Sequence, residues 1–520
     1  MSMQITRAYD RVKAIDWEPS YIGKDQKYVE STRFFLKGLK PVDPFKTFLR
    51  EYFKMEQEKE NRHYSVLEAS SRLHSGPPDA RWMESMKFIL SNLATVEYAA
   101  GRQMGRMARS VAPMELRQGY MMQMLDEMRH TQLEMNNIRQ NMRTWEDPAG
   151  YDIALRGAGN NVGAGLFRAM IEDVTTCDPV ETSIGLQIFI ETAYSNVFFV
   201  GMSAAAAAHG DNTLASTLLT IQSDESRHMA NGWATLVTLL QDDRNIPLVQ
   251  QALDKWSWRT HVSFGLANAL SQDYFTKNRT ESAKEAAMRW VYDEFFGGFY
   301  QKLERYGIKP PPRMEEQIAE LDNLSHSAAV YVFGAWPFFY HRADPMTAAD
   351  MDWLEKKYPG WHGRFGWFWD SYAKCTDPND RAIVLKELGG LPNFCEVCQR
   401  PLIFPTPQAH SGRSRVHAGK NHIFCSAGCE EIFVNDPIHY QVGKSFYDLY
   451  HGCTLAEVVE HMGYIRDDGR TLMGQPLLRQ NRMWTVDDLR RCDYVVQRPA
   501  PPPPADDVKP VQETAGGAAH

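Results

Sequence analysis

The chain has 520 residues, 43% of them hydrophobic, enough for a large core and more than one compact domain usually takes, so one big domain with a smaller appendage is expected. Fifty-seven basic against 65 acidic residues leave a formal net charge of -8 with no sustained basic stripe, which argues against nucleic acid or an anionic membrane as partner. Eight cysteines, four of them clustered late, point to reduced thiols and a metal site rather than a disulfide framework.

The N-terminus, M-S-M-Q-I-T-R-A-Y-D, lacks the apolar core of a signal peptide, so a cytoplasmic protein is expected, with residues 1–43 as an N-terminal arm. From Pro44 to Tyr372 the chain reads as long helices separated by the breaks S-G-P-P-D (75–79), E-D-P-A-G (146–150), H-G-D-N (209–212) and K-P-P-P-R (309–313). No stretch there alternates apolar and polar residues convincingly enough for a sheet. Residues 44–390 therefore read as one helical domain. Its first helical run, M-E-Q-E-K-E-N-R-H (55–63), contains Glu60-x-x-His63. Roughly one such pair arises by chance in a chain this long. This one looks solvated and has neither the flanking Asp and Arg nor an upstream glutamate, so no metal is expected on it.

Two later copies differ. D-E-M-R-H at 126–130 and D-E-S-R-H at 224–228 each follow an isolated glutamate, Glu97 in S-N-L-A-T-V-E-Y-A-A and Glu191 in L-Q-I-F-I-E-T-A-Y. In Glu127-x-x-His130 and Glu225-x-x-His228 the two side chains share one helix face and point an oxygen and an imidazole at the same place. The lone glutamates must bury a charge among apolar neighbours, and a metal is a sufficient partner. Four carboxylates balance two ferrous ions, and mixed oxygen and nitrogen ligation suits iron or manganese better than zinc or calcium. The expected fold is mainly α: a ferritin-like four-helix-bundle diiron core with additional helices, plus a small C-terminal zinc-binding α+β region. The apolar run at 197–208 is too short to span a bilayer and reads as the continuation of the Glu191 helix, so no membrane segment is expected.

Beyond Leu391 the character changes. Cys395-x-x-Cys398 and Cys425-x-x-x-Cys429 lie in short segments rich in Pro, Phe, Ile and His, and two close thiol pairs suit one tetrahedral structural zinc ion. The C-terminal region with this four-cysteine site spans 391–498. Cys177, Cys375, Cys453 and Cys492 read as packing or surface residues. The tail 499–520, P-A-P-P-P-P-A-D-D onward, is poor in apolar residues and is expected to be disordered.

The surroundings of the ligand set choose among diiron proteins. The ribonucleotide reductase small subunit usually has Asp as first ligand and a tyrosine one turn after the first His; here those positions are Glu97 and Glu134. Acyl-carrier-protein desaturases lack the late cysteine cluster. The chain resembles the large (alpha) hydroxylase subunit of soluble bacterial diiron multicomponent monooxygenases. The resemblance runs through M-E-Q-E-K-E-N-R-H-Y (55–64), V-E-Y-A-A (96–100), M-L-D-E-M-R-H-T-Q (124–132), E-T-A-Y-S-N (191–196), I-Q-S-D-E-S-R-H-M-A-N-G (221–232), K-Y-P-G-W (357–361), G-Y-I-R-D-D-G-R-T-L-M-G-Q-P and M-W-T-V-D-D-L-R (within 463–490). The last stretches resemble the propane and alkene branch, and the cysteine cluster is similar to that of propane monooxygenases and phenol hydroxylases.

The resemblance implies Glu97, Glu127, His130, Glu191, Glu225 and His228 as ligands of two iron ions. It makes Asp126 and Asp224 acceptors for the ligand imidazole N–H groups, with Arg129 and Arg227 balancing charge. Ser195 stands where the family usually has Thr, with Asn196 beside it as in the family; both count as catalytic candidates. Leu93, Ala100, Met170, Ile190 and Phe199 are pocket candidates, Met170 replacing an aromatic of toluene-oxidising relatives, though each reads equally well as core. The implied activity is NADH-dependent monooxygenation of a small hydrocarbon, propane or a short alkene, by O2. The implied partners are a hydroxylase beta subunit, a regulatory protein and a reductase carrying FAD and a 2Fe–2S cluster, in an α2β2 or α2β2γ2 assembly. Phenol or methane hydroxylation, a ribonucleotide-reductase-like role and iron handling are the alternatives.

Overall fold

The computed structural model describes residues 32–41, 49–72, 80–111, 113–144, 165–276, 280–330, 346–375, 377, 379–380, 390–402, 412–441, 445–461, 490–505, 507 and 509. The arm before residue 32, the breaks at 75–79 and 146–150, the stretch 463–489 and the tail beyond 509 lie outside them. Helix α1 (Leu49–Arg72) precedes two helices of 31 residues, α2 (Ala80–Ser110) and α3 (Met114–Thr144). The link between α2 and α3 is only three residues long, so the pair must be antiparallel. After α4 (Gly165–Thr176) comes a second hairpin, α5 (Glu181–Ala208) and α6 (Asn212–Leu239), which packs on the first.

The H-G-D-N break between α5 and α6 closes one helix and opens the next. Gly210 adopts φ +78°, and the N–H groups of Gly210 and Asp211 donate to Ala207 O (3.0 Å) and Ala206 O (2.8 Å), a Schellman closure. The Asp211 carboxylate then accepts from Leu214 N at 3.1 Å, capping α6. α5 is unusual in its middle: Ile184–Ser195 is π-helical, with α-helical turns on either side. Thr192 Oγ1 and Ser195 Oγ donate to the carbonyls of Gln187 (2.7 Å) and Ile190 (3.0 Å), five residues back, stabilising this wider winding. Helix α7 (Ile246–Thr260) lies so close to α5 that a Cβ on Gly185 would come within 2.6 Å of the Trp256 indole. α5 is also, among the described residues, the one helix long and apolar enough to cross a bilayer, and most of it is packed inside the protein.

The buried apolar side chains of the described residues form three clusters. One, at the end of the bundle reached by going back along α2 and α6 and forward along α3 and α5, contains Leu90, Leu93, Leu133, Phe199, Leu218 and Ile221. A second contains Ala100, Met170, Ile190 and Trp256. The third joins Trp258, Leu266 and Tyr274 of the helical part to Cys395, Phe424 and Phe433, so the C-terminal region shares a core with the helices.

In that region β1 (Arg413–His417) and β2 (Lys420–Phe424) form an antiparallel hairpin, Arg413 opposite Phe424, turned through Ala418 (φ 48°) and Gly419 (φ 77°). Helix α8 (Ala427–Asn435) follows, capped by Ser426, whose Oγ accepts from Cys429 N at 3.2 Å. The expected disorder from residue 499 is corrected for its first residues. Ser414 N donates to Pro503 O (3.2 Å), Ala505 N to Ser414 O (3.0 Å) and Asn393 Nδ2 to Ala500 O (2.7 Å). Proline carbonyls accept hydrogen bonds although proline nitrogens cannot donate, so a stiff extended Pro run can line the β1 edge.

Candidate metal centre

Helices α2, α3, α5 and α6 bring Glu97, Glu127/His130, Glu191 and Glu225/His228 together, all six buried. His130 Nδ1 lies 3.4 Å from Glu97, 3.5 Å from Glu127 and 3.8 Å from Glu225. His228 Nδ1 lies 3.2 Å from Glu225, 3.6 Å from Glu127 and 3.6 Å from Glu191. Glu127 and Glu225 therefore stand between the two imidazoles, whereas Glu97 and Glu191 each attend one. Two sets of potential ligands converge, Glu97–Glu127–His130 and Glu127–Glu191–His228, and they share Glu127.

Burial pushes the Glu97, Glu127 and Glu191 carboxyls well above the usual range, and repulsion from neighbouring carboxylates, Glu225 in each case, adds to the shift. Glu191 Oε2 has no hydrogen-bond donor among the described residues. A buried cluster of this kind is relieved by cations, and two divalent ions match four carboxylates. The donor set of carboxylate oxygen and imidazole nitrogen fits iron, which Glu97, Glu127, His130, Glu191, Glu225 and His228 would hold.

The two Asp–Arg pairs serve the site crosswise. His130 Nε2 donates to Asp224 (3.0 Å) and His228 Nε2 to Asp126 (3.2 Å), so each helix orients the other's imidazole and leaves Nδ1 free to ligate. Arg129 in turn pairs with Asp224, and Arg227 with Asp126 at 2.9 Å. Burial alone would raise the Asp126 carboxyl, yet the hydrogen bond from His228 and the charge of Arg227 hold it below the usual carboxylate range. Asp224→Asn is expected to lower iron affinity about 10- to 100-fold without unfolding the chain. Iron titration of the apoprotein measures this, and unchanged affinity would contradict the orienting role.

Sequence reading missed two sets of residues. Gln123 Nε2 donates to Glu191 (2.7 Å) and Glu127 (3.0 Å), and Gln187 Nε2 donates to Gln123 (2.6 Å). The glutamines sit four residues before Glu127 and Glu191, a repeat visible in the sequence. The second set comes from α1. Tyr52 donates to Asp126 (2.8 Å), Glu56 accepts from Arg227 (2.9 Å) and forms an ion pair with Arg129 (2.9 Å), and Lys59 pairs with Asp224. Glu56, Asp126 and Asp224 converge as a metal site would, but Lys59, Arg129 and Arg227 already neutralise them. The solvated reading of this run is thus corrected on one face. His63 is buried, neither ring nitrogen has a described partner, and burial lowers it to about 4, while Glu60 is half-buried and belongs to no converging ligand set.

Ser195 is buried one turn beyond Glu191 with its hydroxyl proton committed to Ile190 O. The Asn196 side chain lies outside the described residues. The five pocket candidates are all buried but fall in different clusters: Leu93 and Phe199 in one, Ala100, Met170 and Ile190 in another. The four late cysteines converge and are free of disulfides. Cys425 Sγ is 3.6 Å from both Cys398 Sγ and Cys429 Sγ, close to the ~3.8 Å edge of a tetrahedron with metal–sulfur bonds of about 2.3 Å.

A family model described as methane/phenol/alkene hydroxylase matches residues 17–243. The hydroxylase component large subunit of propane 2-monooxygenase from Mycolicibacterium goodii is 33% identical over 519 residues, 94% of each chain. The alpha chain of methane monooxygenase component A from Methylococcus capsulatus is 28% identical over 468 residues, 88% of each. A crystal structure of phenol hydroxylase from Pseudomonas sp. OX1 superposes with a TM-score of 0.73 at 25% identity, covering 90% of this chain and 96% of that one. With its two crosswise Asp–His pairs and a likeness that runs nearly end to end, the chain belongs to the methane/phenol/alkene hydroxylase family.

Proposed function

We propose that this chain is the catalytic large subunit of a cytoplasmic multicomponent monooxygenase that hydroxylates or epoxidises a small hydrocarbon, propane or a short alkene. The observation that carries the reading is the shared Glu127 between two buried imidazoles in an apolar bundle. When bound, two iron ions supply the activation of O2, one atom going to the substrate and the other to water. The residues do the rest. Glu97, Glu127, Glu191, Glu225, His130 and His228 hold the metals, and Asp126 and Asp224 keep the imidazole protons on Nε2. The apolar cluster containing Leu93 and Phe199 excludes water from one side of the site. Electrons come from a separate NADH-dependent reductase with FAD and a 2Fe–2S cluster, and a beta subunit and regulatory protein complete an α2β2 or α2β2γ2 assembly. Cys395, Cys398, Cys425 and Cys429 hold one structural zinc ion. The test is reconstitution with all components: NADH consumption coupled to an alcohol or epoxide in gas chromatography supports the reading, and iron oxidation without product overturns it.

Ser195, with Asn196 beside it, manages protons at the oxygen-binding side. Its hydroxyl donates to Ile190 O, so breaking that one bond swings the hydroxyl free. Ser195→Ala is expected to uncouple the cycle, with peroxide appearing at the expense of product. Ser195→Thr is expected to stay coupled but shift substrate size preference by about 1–3 kcal/mol, because it adds one methyl. Wild-type coupling in Ser195→Ala together with unchanged selectivity in Ser195→Thr would reduce Ser195 to packing.

A further inference from the structure

Arg259 lies in the last turn of α7 and is completely buried. Its Nε donates to Asp173 of α4 at 2.8 Å, but neither Nη atom has a hydrogen-bond partner among the described residues. Asp173 makes no further demand on it: the same carboxylate pairs with Lys255 at 3.0 Å, lies 3.2 Å from His439 Nε2 and accepts from the Tyr440 hydroxyl at 2.7 Å. Arginine cannot give up its charge, and N–H groups buried without an acceptor are unfavourable. The two Nη groups therefore need an acceptor from another part of the chain.

The four late cysteines lie against this end of α7. Trp258, next to Arg259, is the ring on which Gly428 is pressed, and Gly428 adjoins Cys429. Burial acts to lower the Arg259 guanidinium, and Asp173, Tyr440, Cys398 and Cys429 more than offset it, so two of the sulfurs lie within reach of its charge. Arg400 attends the cluster as well: its backbone N–H donates to Cys398 Sγ at 3.4 Å, and its buried guanidinium pairs with Glu320 at 3.1 Å. Four thiolates around one divalent ion carry two surplus negative charges, and an apolar core holds such charge only beside positive groups. Two buried guanidiniums stand where that charge would be.

We infer that Arg259 is a positioning residue of the four-cysteine metal site, whose Nη groups donate to the thiolates of Cys398 and Cys429 once a divalent ion has displaced their protons to solvent, and which with Arg400 balances the charge of the loaded site. The inference rests on the zinc reading and adds what the chain supplies beyond the four sulfurs. It also gives the metal a second task. Arg400 belongs to the C-terminal region and Arg259 to the helical part, so loading the site draws the two together through Arg259.

Zinc affinity is measured by chelator competition on the full hydroxylase. Cobalt(II) loaded into the zinc-depleted protein reports the sulfurs directly, since a thiolate-to-cobalt charge-transfer band arises at the cysteine site and not at carboxylate and imidazole ligands. R259M is expected to weaken zinc about 10- to 100-fold and to move that band to lower energy, because a thiolate relieved of its hydrogen bonds gives up an electron more readily. R259K, which keeps the charge but not the planar fork, is expected to fall between R259M and wild type. Y440F loosens the Asp173 cluster without touching Arg259 and is expected to stay within about threefold of wild type. Where R259M does not fold, R259Q, which lacks the charge, makes the same comparison. Wild-type zinc affinity or an unmoved band in the uncharged variant, or an equal loss of affinity in Y440F, overturns the inference. Failure of the zinc reading is seen separately, as wild-type protein that takes up neither zinc nor thiolate-bound cobalt.

Discussion

Glu127→Ala is expected to leave well under two iron ions per chain and to abolish turnover. Glu127 is the residue common to both converging sets, within 3.5 Å of His130 Nδ1 and 3.6 Å of His228 Nδ1, so its loss would remove an oxygen from both sets at once. Glu225, 3.8 and 3.2 Å from the same two nitrogens, should behave alike. Glu97 and Glu191 each touch one imidazole, so their alanine variants should retain more iron. The effect of Glu127→Ala should exceed the roughly 10- to 100-fold that removal of an outer hydrogen-bond partner produces. Iron analysis and product assays on the purified complex decide it; full iron content with normal turnover would falsify the ligand assignment.

Cys395→Ser is expected to release the zinc and destabilise the C-terminal region. Zinc binding in small Cys and His modules is worth roughly 10–16 kcal/mol at neutral pH, and that free energy is largely folding free energy. The loss should spread, because Cys395, Cys398, Cys425 and Cys429 lie in one apolar cluster with Trp258, Leu266 and Tyr274 of the helical part. A Cβ on Gly428 would come within 2.3 Å of the Trp258 ring, so α8 is seated hard against α7. Calorimetry should show a lower thermal midpoint, while whatever folded protein remains still binds two iron ions. Elemental analysis that finds iron but no zinc in pure wild-type protein defeats the assignment.

The convergence of the carboxylates and imidazoles was legible because E-x-x-H encodes its own geometry: i and i+3 share a helix face wherever the helix goes. The cysteine pairs were legible for the same local reason. What surrounds them was less so. That Asp126 serves His228 rather than His130 depends on how α3 and α6 are juxtaposed, which no single helix states. Tyr52, Glu56 and Lys59 reach the site only because α1 docks on α6, and their charged neighbours made the run look solvated. The π-helical turns around Glu191 leave little trace in a sequence that is apolar on every side. The glutamines were within reach, since Gln123 and Gln187 repeat one offset, but hydrogen-bonding residues in a helix attract no notice until their acceptors are known. Residues 500–505 read as disordered from composition, and it was the β1 edge, a long-range partner, that ordered them.

Crosswise service of the imidazoles has a consequence for assembly. The α2–α3 hairpin carries an imidazole whose aspartate is on α6, and the α5–α6 hairpin carries one whose aspartate is on α3. Neither hairpin can set its own tautomer, so each depends on the other for the hydrogen bond that orients its imidazole. A free α2–α3 hairpin still gathers Glu97, Glu127 and His130, but without Asp224 nothing sets the tautomer of its imidazole, so the orientation of both rings arrives in a single event, when the hairpins close. The clasp is thus a checkpoint in folding: the two imidazoles are set together, each by the arrival of the other's hairpin.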